Sequence, residues 1–191
     1  MSNFKHISNF IFEIETLKSI KRSGSSIARV PNPDSIAEHI AIASQVAYIL
    51  ARFEGADASH CACMMLFHDN AEVRIGDINK VNARYIDTKE SELQAHKEQI
   101  KDLPTGGLQE ELHVFFIEYR EQKTLESKVC KDADLLELAF QSKIFLEQGF
   151  HAKKNWLENI EKSLKTKSGK AVFQSLLETD SSDWWEGLKK I

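Results

Sequence analysis

Apolar residues recur along this chain at intervals of three and four, the spacing that lines up side chains on one face of an α-helix. The first stripe is Phe4, Ile7, Ile11, Ile14 (or Phe12), Leu17 and Ile20, and it predicts a helix over about residues 4–20. The segment RSGSSIARVPNPD then reads as a loop, broken by Gly24, Pro31 and Pro33. Ser35 and Glu38 have the spacing of a capping box, in which each side chain satisfies the other's backbone amide. This starts a helix over 35–53 with Ile36, Ile40, Ala43, Ala47 and Leu50 inward, and His39 on the same side near the first turn. A third helix is predicted over 57–73; its run CACMMLF is apolar all round, which marks a central buried helix. His68 and Asp69 stand near its end, and Gly76 terminates it.

Residues 79–100 read as a loop and then a polar helix, and LPTGG at 103–107 is a break. A helix over 108–122 turns Leu112, Phe115, Phe116 and Tyr119 inward. The next, over 125–148, carries Val129, Ala133, Leu136, Phe140 and Ile144 as its core stripe and stops at Gly149. Shorter helices over 156–164 and 171–178 follow, and Trp184 and Trp185 are expected to pack the tail onto the body. Only eight Gly and three Pro punctuate the 191 residues, so the pattern predicts an all-α protein. No repeat or low-complexity segment divides it, and residues 1–191 read as a single domain.

The net charge of -4 argues against a polynucleotide or an anionic membrane as the main partner, because both require a basic surface. A small anionic ligand is still compatible with a local positive pocket. No run approaches the roughly 20 apolar residues of a membrane span. The N-terminus lacks the layout of a signal peptide, and three cysteines without a secretion signal fit a reducing compartment, so a cytoplasmic protein is expected. Cys61 and Cys63 form a C-x-C pair, but no second pair completes a zinc site and both read as small core residues.

The chemistry concentrates in MMLFHDNAEVRIGD. His68 and Asp69 are neighbours, Glu72 lies on the same helical face, and Asp77 follows the Gly76 break. Charges on a segment that begins apolar are costly unless paired or metal-bound. The pair alone is equally compatible with a solvated helix end. His39 alone reads as a core histidine and Asp134 as one more acid on an amphipathic helix; Asp132 competes with Asp134, and the pattern barely separates them. His96 and His113 fall in the interval where a second metal would find ligands, but they read as surface residues. His6, His60 and His151 have no partners in sequence.

In order, the segments PDSIAEH, LFHDNAEVRIGDI and KDADLLELAFQ resemble the HD-domain metal-dependent phosphohydrolases. The branch is the small helical one that holds the bacterial 5'-deoxynucleotidases and eukaryotic HD-domain-containing proteins. The tail, WLENIEKSLKT through LLETDSSDWW, extends the resemblance over nearly the whole chain. It implies an HD-domain helical bundle with one divalent metal ion (Mn, Co, Zn or Mg) held by His39, His68, Asp69 and Asp134. It favours Asp134 over Asp132 and places Glu72 and Asp77 at the scissile phosphate, with Arg22 on phosphate or sugar. One departure stands out: the family often has Trp shortly after its Arg-x-Gly, and here the residue is Ser25.

The expected activity is hydrolysis of nucleoside 5'-monophosphates, 5'-deoxynucleotides first, by a homodimer with no polymer or membrane partner. The alternatives are an HD hydrolase of nucleoside triphosphates or another small phosphate ester, and a non-catalytic nucleotide-binding module.

Overall fold

A computed structural model describes residues 3–104, 106–151 and 154–188. Its helices, in chain order, are α1 (Asn3–Glu15), α2 (Ser23–Ile27), α3 (Ile36–Glu54), α4 (Ala58–Phe67), α5 (Glu72–Ile75), α6 (Lys89–Ile100), α7 (Leu108–Glu121), α8 (Leu125–Glu147), α9 (Lys154–Ser163) and α10 (Lys167–Glu178). Among the described residues there is no β-strand, only an isolated antiparallel bridge from Lys21 to Ser35.

Caps set the main boundaries. Ser35 Oγ accepts from the Glu38 amide while Glu38 Oε2 accepts from the Ser35 amide, and both orphan donors at the start of α3 are satisfied. Gly55 ends α3 in the left-handed region (φ 74), where a side chain would be strained. Asp57, Thr124 and Thr166 cap α4, α8 and α10 in the same way, each accepting from the amide three residues on.

Helices α3 and α8 form the centre, packed on each other and on α4. Ala43, Ala47 and Ala51 on α3 and Ala133 on α8 are fully buried. Such small side chains let two helix backbones approach, while Leu50, Val129, Leu136, Met64 and Met65 fill the space around them. Helices α7, α9 and α10 close the core with Phe115, Ile160 and Phe173.

Several predicted elements are corrected. The first helix ends at Glu15 and tightens into a 3-10 turn over Thr16–Lys18. Its inward face is Ile7, Phe10, Ile14, Leu17 and Ile20, whereas Phe4, Ile11 and Phe12 are exposed. The third helix stops at Phe67, not near 73. His68 Nδ1–H donates to the Met65 carbonyl (2.7 Å), and the amides of Asn70, Glu72, Val73 and Arg74 each reach back only three residues. That tighter winding breaks the regular helix where the chemistry begins. Nor is α4 buried all round, since Cys63 and Leu66 face solvent.

On α8 the stripe holds through Leu136 and then shifts, leaving Phe140 and Ile144 partly exposed and burying Ala139, Ser142 and Phe145. Phe145 packs with Ala28 and Val30 from the loop after α2, a long-range contact that periodicity cannot foresee. His96 is buried, stacked on Phe116 at 4.1 Å and 3°, with His113 stacked behind it at 5.5 Å. Trp184 and Trp185 do not pack down; they are 75% and 54% exposed.

Candidate functional site

Three helices and one turn bring the predicted ligands together. His39, fully buried on the first turn of α3, meets His68 at the C-terminus of α4 with ring centroids 5.4 Å apart. Asp134 on α8 completes a trio whose ligand atoms all lie within 4.8 Å of one another. Asp69 Oδ2 stands 3.1 Å from His68 Nε2 and 3.6 Å from His39 Nε2.

Three of the four predicted ligands are oriented from behind. His39 Nδ1–H donates to Glu137 Oε2 (2.6 Å) and His68 Nδ1–H to the Met65 carbonyl, so both Nε2 atoms turn to the same point. Tyr119 Oη (2.8 Å) and Lys131 Nζ (2.7 Å) both donate to Asp134 Oδ2, which leaves Oδ1 aimed at His39 Nε2, 3.4 Å away. The Nε2 atoms of His39 and His68 are buried and lack a hydrogen-bond partner. Two orphaned imidazole nitrogens facing two carboxylates suit a divalent cation, which supplies the missing partner.

The electrostatics agree with this. Burial opposes charge on His39, but the carboxylates of Asp134 and Glu137 outweigh it and raise the ring to about 10. The field that attracts a proton there attracts a metal ion, which displaces that proton on binding. Burial also works against the charged forms of Asp69 and Asp134. The His68 and His39 rings nevertheless lower Asp69 to about 2, and Lys131 and His39 hold Asp134 well below its usual range.

A cavity of about 440 Å³ opens beside this cluster, lined by Arg22, Asp69, Glu72, Asp77, Tyr119, Lys131, Asp134 and Trp156 among others. Arg22 precedes α2, its guanidinium 3.8 Å from Asp69 Oδ2. Burial disfavours its charge, yet Asp134, Asp69 and Asp77 hold it firmly as a cation. Glu72 opens α5 with one buried oxygen, Oε2, lacking a hydrogen-bond partner. Burial first, then the negative charges of Asp69 and Asp77, push its carboxyl up to about 10, so it holds its proton at neutral pH. Asp77 Oδ2 accepts from the Ser23 amide, and Ser23 Oγ donates to the Asp77 carbonyl (2.9 Å). Asp77 thereby clamps the Arg22 loop to the edge of the site.

The structure separates the two aspartates that the pattern left close. Asp132 is fully buried on another side of α8 and accepts from the amides of Lys165 and Thr166 and from Thr166 Oγ1. It anchors the start of α10 and is absent from the cavity. His96 and His113 are also outside the cavity lining. Sequence reasoning missed Glu137, Lys131 and Trp156. Glu137 carried a signal, as a charge amid the apolar run LLELAF; Lys131, beside the acids of KDAD, and Trp156, among the charges of KKNWLENIEK, carried none.

Several known proteins are similar to this chain in sequence. The 5'-deoxynucleotidase HDDC2 of Bos taurus is 26% identical over 138 residues, covering 72% of this chain and 67% of that protein. The 5'-deoxynucleotidase YGK1 of Saccharomyces cerevisiae is 27% identical over 190 residues, covering 95% and 86%. Among solved structures, the crystal structure of the genomics target APC5600 superposes with a TM-score of 0.76 at 31% identity, over 95% of this chain and 99% of that one. The family described as HD domain matches residues 14–176, a span that contains every residue of the cluster and its cavity, and the chain belongs to the HD-domain family.

Proposed function

We propose that this protein is a metal-dependent phosphomonoesterase acting on nucleoside 5'-monophosphates, with 5'-deoxynucleotides as the preferred class. The observation that carries the reading is the pair of orphaned Nε2 atoms on His39 and His68 facing Asp69 and Asp134, next to a cavity that also holds Arg22 and a proton-bearing Glu72. The names of the curated relatives support the substrate class.

His39, His68, Asp69 and Asp134 would hold the ion. Bound there, a divalent metal supplies charge neutralisation at the phosphoryl group and a more acidic water. Arg22 orients the phosphate through its non-bridging oxygens. Glu72 carries the proton that the leaving 5'-oxygen takes up as its bond to phosphorus breaks and a water oxygen bonds in its place. The water's proton passes to solvent and restores Glu72. Asp77 keeps Arg22 in register by gripping Ser23.

The partners follow from the surface. No helix of the described residues is long and apolar enough to cross a membrane. Ile42, Ile49 and Phe53 expose a stripe at i, i+7 and i+11 along α3, an uncovered apolar face that supports a homodimer. The acidic balance and this surface fit a cytoplasmic protein that does not bind polynucleotides.

Phosphate release from a panel of ribo- and deoxyribonucleotides with Mn, Co, Mg or Zn tests the reading. Orthophosphate from 5'-deoxynucleoside monophosphates is expected. Pyrophosphate or triphosphate from nucleoside triphosphates would favour the other hydrolase reading, and no product with any metal would contradict both.

A further inference from the structure

The cavity lining is chemically mixed. Arg22 and Lys131 are each drawn to a carboxylate of the cluster, and Lys80 is the third cation of the lining. Helix α9 contributes Trp156, Asn159 and Ile160, spaced i, i+3 and i+4 and therefore on one helical face. That face carries an aromatic ring, an amide and an aliphatic side chain, and no charge. An uncharged wall with a ring suits the rest of a monophosphate.

The ring is held in place by Gly24. A Cβ at that position would lie 2.9 Å from the Cη2 carbon of Trp156, too close for any side chain. The benzo edge of the indole thus rests directly on the backbone two residues beyond Arg22. The ring of α9 therefore packs against the turn that carries Arg22. The turn's own next residue, Ser25, is 3% exposed and supplies no aromatic surface.

We infer that Trp156 is the nucleobase platform of this site, stacking the base of a nucleotide whose phosphate lies at Arg22 and the His39/His68/Asp69/Asp134 cluster. The inference rests on the nucleotide reading above and deepens it. An indole face accepts any base because every base presents a π surface, so Trp156 confers preference for nucleotides over bare sugar phosphates. Asn159, one turn further along α9, stands where an amide can meet the edge of the stacked base.

The test compares dAMP with 2-deoxyribose 5-phosphate, which keeps the phosphate and sugar but has no base. In the Trp156→Leu variant the KM for dAMP should rise about tenfold, the scale of one lost base–aromatic stack. The inhibition constant of deoxyribose 5-phosphate should stay unchanged, and Trp156→Phe should behave like wild type. Equal losses toward both ligands, or no loss toward dAMP, would overturn the inference and leave Trp156 a packing residue. Should Trp156→Leu fail to fold, fluorescence decides in a protein with Trp184 and Trp185 changed to Phe. Quenching by dAMP but not by deoxyribose 5-phosphate is expected, and the absence of quenching by dAMP would refute the platform. Wild-type protein that turns over no nucleotide, while dAMP still quenches Trp156, would sink the hydrolase reading and leave the platform standing.

Discussion

His39 shows how little freedom a ligating side chain has in this site. Glu137 fixes its tautomer from one side and Asp134 draws it from the other, so the ring presents Nε2 in a single direction. Such outer carboxylates commonly set metal affinity by about ten- to a hundredfold. Glu137→Gln should weaken metal binding by about tenfold or more in a metal titration while the fold survives. Glu72 gives a second expectation at this scale. Glu72→Gln keeps the shape and neutrality of the group but removes its proton, and kcat should fall about a hundredfold with KM little changed. In the metal-free protein burial and the charges of Asp69 and Asp77 raise Glu72 to about 10, so an infrared titration should show its carboxyl losing the proton as pH rises through that value, and at lower pH once a divalent ion offsets those charges. His39, His68, Asp69, Asp134, Glu72, Asp77 and Arg22 stood out as candidates because they sit in short, ordered segments that resemble the family's motifs. Glu137, Lys131 and Trp156 were not assigned, since none has a motif of its own and each takes its place only from what the folded chain sets beside it.

Asp132 plays at the level of elements the part that Asp134 plays at the site. It ties α8 to the first turn of α10, and Asp132→Ala would leave the buried Thr166 amide and hydroxyl, with the Lys165 amide, without their acceptor at a cost of about 3 kcal/mol. Thermal unfolding should report that loss, while metal affinity stays near wild type; a loss of metal alone would place Asp132 in the site. The α6–α7 pair offers a pH test. Burial, with His113, Arg120 and Lys97 around it, lowers His96 to about 4 from 6.5. Between these values the unfolded chain binds more protons than the folded one, so the stability that His96 secures is complete above pH 6.5 and drains away toward pH 4. His96→Phe, which retains the stack on Phe116, should flatten that acid slope in melting curves. Helix positions were readable wherever a cap or a steady stripe announced them, as at Ser35. The winding after Phe67 and the shift along α8 depend on hydrogen bonds and packing between distant segments, which period counting does not contain.

For the whole molecule, the ligand cluster joins α3, α4 and α8, the same helices that make the core. Metal should therefore stabilise the fold: at a hundred times its Kd it adds about 2.7 kcal/mol. For a chain of this size that shifts the melting temperature by about 5–10 °C, and a chelator should reverse it. Phe53→Glu, on the open stripe of α3, should yield monomers in light-scattering measurements with helix content unchanged. The all-α architecture could be read from spacing and few turn-formers, but the exposure of Ile42, Ile49 and Phe53 on α3 could not, because an exposed apolar stripe and a buried one look alike in sequence. His39, His68, Asp69 and Asp134 are proposed as one metal-dependent phosphohydrolase centre. The most direct test is orthophosphate release from dAMP by metal-free protein as Mn or Co is added back, with wild type and Asp134→Ala side by side. Activity that returns with metal in wild type and not in the variant is the predicted result; equal activity in the two, or release that ignores the metal, would contradict it.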